Sequence, residues 1–142
     1  MGRQQSRLIL FTGLGFLGIG IDVYLGHMAS GADRPFMWIP LFFLPCAVVI
    51  SLAAGLRPTK FLRGFFCFAC LLAIMIGLSG FSFHSLRLWQ NFHGIIQWEV
   101  LTRLMFYPPL LAPLAISGLG ILGLLIEHPP SDMKGQGKCG NS

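Results

Sequence analysis

Three histidines mark the places where this chain could bind a haem or a metal ion. His27 and His84 each end a long apolar run, and His93 follows in the mixed segment FSFHSLRLWQNFH. Imidazole is a ligand for haem iron, copper and zinc. If the two runs are parallel helices on opposite sides of a bundle, both imidazoles lie at one depth. We therefore predict His27 and His84 as candidate ligands of a haem b.

A haem between these histidines needs small neighbours that leave room for the macrocycle, and glycine supplies that room. The glycines that shortly precede the two histidines are Gly20, Gly26, Gly77 and Gly80.

A copper or zinc site would use His93 as a third ligand. Asp22, Asp33 or Glu99 would then be a further ligand or, like Tyr24, would orient the imidazoles by hydrogen bonds. The sequence has no compact ligand motif such as HxH or HxxxH, so either site requires distant residues to converge. The alternative is that these histidines bond only to headgroups, loop carbonyls or water.

Asp22 is the one acidic residue inside an apolar run. A carboxylate at the bilayer centre costs about 2.5–3.5 kcal/mol, and less near the interface. Asp22 must therefore face the bundle interior, a polar pocket or headgroups, which makes it a candidate functional residue. The alternative is an interfacial ion pair with Arg34 or Arg103.

Cys67 and Cys70 form a CxxC motif, the spacing of thiol redox sites. Cys67 lies close to the start of its apolar run, on the side expected to be cytoplasmic and reducing. Buried cysteine also packs as a small apolar residue. We interpret this pair as packing.

Most of these residues lie in apolar runs that are predicted to be membrane-spanning helices. The chain has 142 residues, of which 54% are hydrophobic and 11% charged, with a mean hydropathy of +0.72. Soluble domains carry about 25% charged residues. A helix of about 20 apolar residues spans the ~30 Å hydrocarbon core, and helices satisfy their own backbone in lipid. The sequence predicts an all-α integral membrane protein whose four-helix transmembrane bundle occupies residues 1–128, with spans at 8–28, 36–56, 64–83 and 104–126.

The basic residues predict the orientation of this bundle in the inner (cell) membrane. Seven of the ten fall on the side of the two termini, which the positive-inside rule places in the cytoplasm: Arg3, Arg7, Arg57, Lys60, Arg63, Lys134 and Lys138. The net charge of +5 reflects this bias and does not indicate nucleic-acid binding. The alternative is that the first run is a signal peptide cleaved after Ser30-Gly31-Ala32, which would leave three spans.

Two segments lie outside the predicted spans. Residues 85–102 carry apolar side chains at three- and four-residue spacing, which predicts a short helix on the outer membrane surface before the last span. Residues 129–142 are polar and rich in Gly and Pro, which predicts a disordered cytoplasmic tail.

An internal repeat of two helical hairpins is a further prediction. His27 aligns with His84, and the proline pairs Pro40/Pro45 and Pro108/Pro113 share one spacing. Small residues along the spans predict close helix packing. These packing candidates are Gly13, Gly18, Ala69, Ala73, Gly77 and Gly120.

The sequence contains no catalytic constellation, because its serines have no matched base and acid. We therefore expect a non-enzymatic accessory or assembly subunit that packs in the bilayer against another membrane protein or a second copy. The alternative is a haem- or copper-binding redox protein that uses His27 and His84, with His93, on the outer face. A transporter or channel would need oligomerisation, and no ion-selective filter pattern is present.

Overall fold

The computed structural model describes residues 3–29, 35–90 and 111–128, and within them every regular element is helical. The elements are α1 (Arg3–Ala29), a 3-10 turn (Pro35–Met37), α2 (Trp38–Leu56), α3 (Lys60–Gln90) and α4 (Leu111–Glu127). Three helical stretches, Arg3–Met28, Pro35–Leu56 and Lys60–Arg87, are long and apolar enough to cross a membrane. The 17-residue α4 is shorter.

The turn between α2 and α3 is three residues long and is closed by hydrogen bonds. The Arg57 N–H donates to the Ala53 carbonyl at 2.9 Å, which ends α2, and the Thr59 N–H donates to the Arg57 carbonyl at 2.7 Å. The Thr59 hydroxyl accepts from the Leu62 N–H at 3.3 Å, so Thr59 caps the first turn of α3. This short turn makes α2 and α3 antiparallel neighbours.

The four helices form a ring in which α1 contacts α2 and α4, and α3 contacts α2 and α4. Contacts along α1 and α2 run in opposite directions. A Cβ at Gly55 would lie 3.3 Å from the Ser6 carbonyl oxygen, and a Cβ at Gly20 would lie 3.6 Å from Leu44 Cβ. Helices α1 and α3 therefore run the same way and occupy diagonal positions.

The buried core has two clusters, one towards each end of the bundle. One contains Phe16, Leu44 and Ile116, and the other contains Ile9, Phe66 and Cys70. The outer surface is also apolar, with Phe42 71% exposed and Phe61 72% exposed. A chain that is apolar both inside and outside is suited to lipid rather than to water.

Small residues allow α3 and α4 to approach closely. A Cβ at Gly120 would lie 2.6 Å from the Cys70 carbonyl oxygen, and a Cβ at Gly77 would collide with Ser117 and the Pro113 carbonyl. The buried residues Ala69 and Ala73 continue this α3 face.

The other two packing candidates lie on α1 and behave differently. Gly13 packs on α2, where a Cβ would lie 3.0 Å from Ser51 Cβ. Gly18 is exposed, and no described residue lies within 4 Å of its Cβ position. Gly18 therefore does not pack within the described bundle.

Helix α3 is longer than the predicted span at residues 64–83. It continues without a break to Gln90, so residues 85–90, expected to begin the surface helix, extend α3 instead. Residues 91–102 of that helix, residues 104–110 of the last span and the tail at 129–142 lie outside the described residues.

Candidate functional site

His27 lies on the inner face of α1, one turn beyond the buried Val23 and in line with the buried Phe16. Its Nδ1 is 2.7 Å from the Val23 carbonyl oxygen. A carbonyl only accepts hydrogen bonds, so Nδ1 carries the proton in this contact. The bond holds the ring against the helix and fixes its orientation.

His84 lies on the inner face of α3 at the same end of the bundle. It is half-buried and follows Gly77, a buried residue of this face, by two turns. Both predicted ligands therefore lie on the inner faces of diagonal helices, at the same end of the bundle.

The space expected for a haem beside these histidines is largely filled by other helices. At Gly77 the neighbours are Ser117 and Pro113 of α4, and a Cβ at Gly80 would lie 3.3 Å from Pro113 Cβ. Gly20 packs on Leu44 of α2. Only Gly26 of the four has no described residue within 4 Å of its Cβ position. Glycine is used here to bring backbones together, so the described residues do not fit a macrocycle as predicted.

Two members of the expected second ligand shell, Asp22 and Tyr24, lie among the described residues. Asp22 is exposed, and Tyr24 is 52% exposed on the outer surface of α1. At 3.6 residues per turn, Asp22 lies about 140° around the helix from His27. His93 and Glu99 lie outside the described residues. Within residues 3–29, 35–90 and 111–128, no three His, Cys, Asp or Glu side chains are grouped to hold a metal ion.

The opposite end of the bundle has a polar cluster that joins three helices. Arg63 of α3 donates through Nε, at 2.7 Å, and through Nη2 to the same oxygen, Oε2, of Glu127 on α4. The Gln5 side chain of α1 donates to the Ile126 carbonyl at 2.9 Å. Sequence reasoning missed this cluster because it placed Glu127 just beyond the last span and Arg63 in a loop. An antiparallel hairpin of spans three and four places Arg63 and Glu127 at the same end of the bundle.

Glu127 depends on Arg63 for its charge balance. The Glu127 side chain is 3% exposed, and its second oxygen, Oε1, is buried without a hydrogen bond from the described residues. Glu127 also ends α4, where the helix macrodipole disfavours a negative charge. The Arg63 guanidinium offsets both unfavourable effects.

The two cysteines of the CxxC motif are thiols at this same end. Cys70 is fully buried, and its sulfur occupies the place where a side chain at Gly123 would lie. Cys67 is half-buried, within reach of the charges on Glu127 and Arg63. Cys70 therefore serves as packing between α3 and α4.

Comparison with known proteins adds no functional assignment. The chain matches no family model, no curated protein and no solved structure.

Proposed function

We propose that this protein is a non-enzymatic accessory or assembly subunit of an inner-membrane complex, a multi-pass membrane protein that binds a partner membrane helix through the outer face of α1. The observation that carries the proposal is the exposed carboxylate of Asp22 on that face. Its neighbours on the helix surface, Ile21 and Leu25, are 55% and 61% exposed. An acidic residue on an apolar, lipid-facing surface requires a partner.

The depth of Asp22 makes lipid a poor environment for it. Asp22 is fifteen positions after Arg7 along α1, a distance of about 22 Å at 1.5 Å per residue. With Arg7 at one interface, Asp22 lies within the ~30 Å hydrocarbon core. Among the described residues Asp22 forms no salt bridge.

Two glycines flank Asp22 on the same side of α1. Gly18 precedes it by four residues and Gly26 follows it by four, and neither has a described residue within 4 Å of its Cβ position. By contrast, Gly13, Gly15 and Gly20 are packed against other helices of the bundle. Small residues on a helix surface let a second helix approach closely in a membrane. We call the surface formed by Gly18, Asp22 and Gly26 the α1 docking face.

The chemistry of the docking face defines the partner. A transmembrane helix that carries a Lys, an Arg or an amide side chain at the depth of Asp22 would satisfy the carboxylate. The backbones would approach at Gly18 and Gly26. An ion pair of Asp22 with Arg34 or Arg103 of the same chain is the alternative, since both arginines lie outside the described residues.

We infer the orientation of the bundle in the membrane from the positions of its basic residues. The exposed cations Arg3, Arg7, Arg57 and Lys60 lie at the end that holds the start of α1 and the α2–α3 turn. The positive-inside rule favours a cytoplasmic location for this end. The histidine end then faces the opposite side of the membrane.

Affinity purification from the native membrane in a mild detergent tests the proposal. We expect one stoichiometric membrane partner with the wild-type chain, and its loss with Asp22→Asn and with Gly18→Leu. Gly118→Leu is the matched control, because Gly118 is also exposed and has no described residue within 4 Å of its Cβ position. A wild-type chain that purifies alone, or equal partner recovery with Gly18→Leu and Gly118→Leu, would refute the docking face.

A second candidate function is metal binding, in a redox protein, by His27 and His84. It is supported by the half-buried positions of both histidines on the inner faces of α1 and α3, at one end of the bundle. The packing of Gly77 and Gly80 against α4 favours a single ion such as copper over a haem. Elemental analysis and an absorption spectrum of one purified sample test it.

A further inference from the structure

We propose that the cationic end of the bundle is a binding surface for the headgroups of anionic phospholipids. The surface consists of Arg3, Arg7, Arg57 and Lys60, all exposed, with the phenylalanines that begin α3. We call it the basic surface. The inference rests on the proposed membrane embedding of the chain, and it is independent of the α1 docking face.

Helix packing brings these cations to one end of the bundle. The end of α2 abuts the start of α1, since a Cβ at Gly55 would lie 3.3 Å from the Ser6 carbonyl oxygen. Arg57 follows two residues later in the three-residue turn, and Lys60 begins α3. The cations of α1 and of the turn therefore lie on one end of the protein.

The described residues leave the charges of Arg3, Arg7, Arg57 and Lys60 without an acidic partner. Neither α1 nor α3 has an acidic residue in its first turn, where a negative charge would match the helix macrodipole. Arg3 and Arg7, four residues apart on one helix face, also repel each other. Glu127, the acidic residue described at this end, is paired with Arg63. An external anion would relieve each of these unfavourable arrangements.

An apolar surface next to the cations indicates that the anion is a lipid. Phe61, Phe65 and Phe68 lie on one face of α3, directly after Lys60, and are 72%, 45% and 58% exposed. The rings of Phe61 and Phe65 pack edge to face at 4.7 Å. A phospholipid would place its phosphate at Lys60 and Arg57 and its acyl chains along the phenylalanines. A soluble phosphate would use the cations alone.

Each cation is expected to contribute moderately to the affinity for an anionic lipid. A Lys or Arg near an anionic membrane surface strengthens binding by about fivefold. Loss of two such residues should therefore reduce lipid retention by about 25-fold. The effect should weaken at high ionic strength, because exposed charges are screened beyond a distance of about 10 Å at 0.1 M salt.

Native mass spectrometry of the full chain, released from vesicles of equal phosphatidylglycerol and phosphatidylcholine, tests the inference. We expect selective retention of phosphatidylglycerol, and its loss in the double variant Arg57→Gln/Lys60→Gln. Arg87→Gln is the matched control, because Arg87 is an exposed cation at the histidine end. Circular dichroism of each variant establishes that its helices are intact.

A second arm separates a lipid from a small anion. Phe61→Ala/Phe68→Ala should weaken retention of phosphatidylglycerol, and inorganic phosphate should not displace the lipid. Displacement by inorganic phosphate, equal retention of both lipids, or an equal loss in Arg87→Gln would overturn the inference. A chain absent from the membrane fraction would instead refute the proposed membrane embedding, so the two failures are distinguishable.

Discussion

Arg63 and Glu127, 64 residues apart in the chain, form an ion pair that joins the start of α3 to the end of α4. At the same end of the bundle, the Gln5 side chain of α1 donates a hydrogen bond to the Ile126 carbonyl of α4. The end of the bundle near the chain start is therefore held by polar contacts between three helices. The histidine end depends on the packing of Gly77 and Gly80 against α4.

Removal of one partner of this ion pair should destabilise the protein strongly. Arg63→Ala leaves the Glu127 carboxylate buried and uncompensated, which we expect to cost about 3 kcal/mol of unfolding free energy. Replacement of both residues, as Arg63→Met/Glu127→Leu, should cost less than Arg63→Ala alone because no charge is left buried. Reversible unfolding in mixed micelles, followed by circular dichroism, measures both. A coupling energy near zero in the double-mutant cycle would show that the pair does not hold α3 to α4.

Because α3 and α4 approach closely, a single methyl group added at their interface should destabilise the protein. Gly77→Ala and Gly120→Ala should each cost about 1–3 kcal/mol, because the added Cβ meets backbone atoms of the facing helix. Gly118→Ala is the control, since no described residue lies within 4 Å of its Cβ position. The same unfolding assay applies. Equal stability of all three variants would mean that the α3–α4 interface is looser than described.

If His27 and His84 bind a metal ion, substitution of either histidine should remove the bound metal. His27→Ala and His84→Ala should each abolish bound copper or zinc, measured by elemental analysis of protein purified from metal-supplemented cells. His128→Ala, an exposed histidine at the end of α4, should leave the metal content unchanged. No Soret band is expected, because α4 fills the space at Gly77 and Gly80. Metal-free wild-type protein argues against the second candidate function, and a Soret band argues against the packing at Gly77.

Cysteine labelling tests the orientation of the bundle. Cys67 is half-buried near Arg63, whereas Cys70 is fully buried. In variants that retain only one cysteine, a maleimide should label Cys67 faster than Cys70. A membrane-impermeant reagent should reach Cys67 only from the cytoplasmic side. Labelling from the opposite side would reverse the proposed topology.

The helices themselves were predictable because they follow from local properties. Run length and composition predicted an almost entirely helical chain with long apolar helices, and α1, α2 and α3 agree with that prediction. The end of α3 was not predictable in the same way. The polar residues after His84 resemble a surface segment, but the helix continues to Gln90.

The candidate site was predictable only in part because it depends on tertiary contacts. The inner-face positions of His27 and His84 follow from helical periodicity and the diagonal placement of two parallel helices. The contact of Gly77 with α4 could not be predicted from the sequence. A glycine that makes room for a ligand and a glycine that packs against a helix have the same sequence pattern. The Arg63–Glu127 pair was missed because it requires the register of the α3–α4 hairpin.

The most direct test of the proposed function is site-specific photo-cross-linking from the α1 docking face in intact membranes. A photoreactive residue at Ile21 or Leu25, both exposed beside Asp22, should cross-link to one discrete membrane protein. The same residue at Val49 on α2, 66% exposed, should give no such product. Cross-links to that protein from α1 alone, lost when Asp22→Asn is added, are the predicted result. Cross-links to lipid only, or an identical product from Val49, would contradict the proposal that α1 carries the partner-binding face.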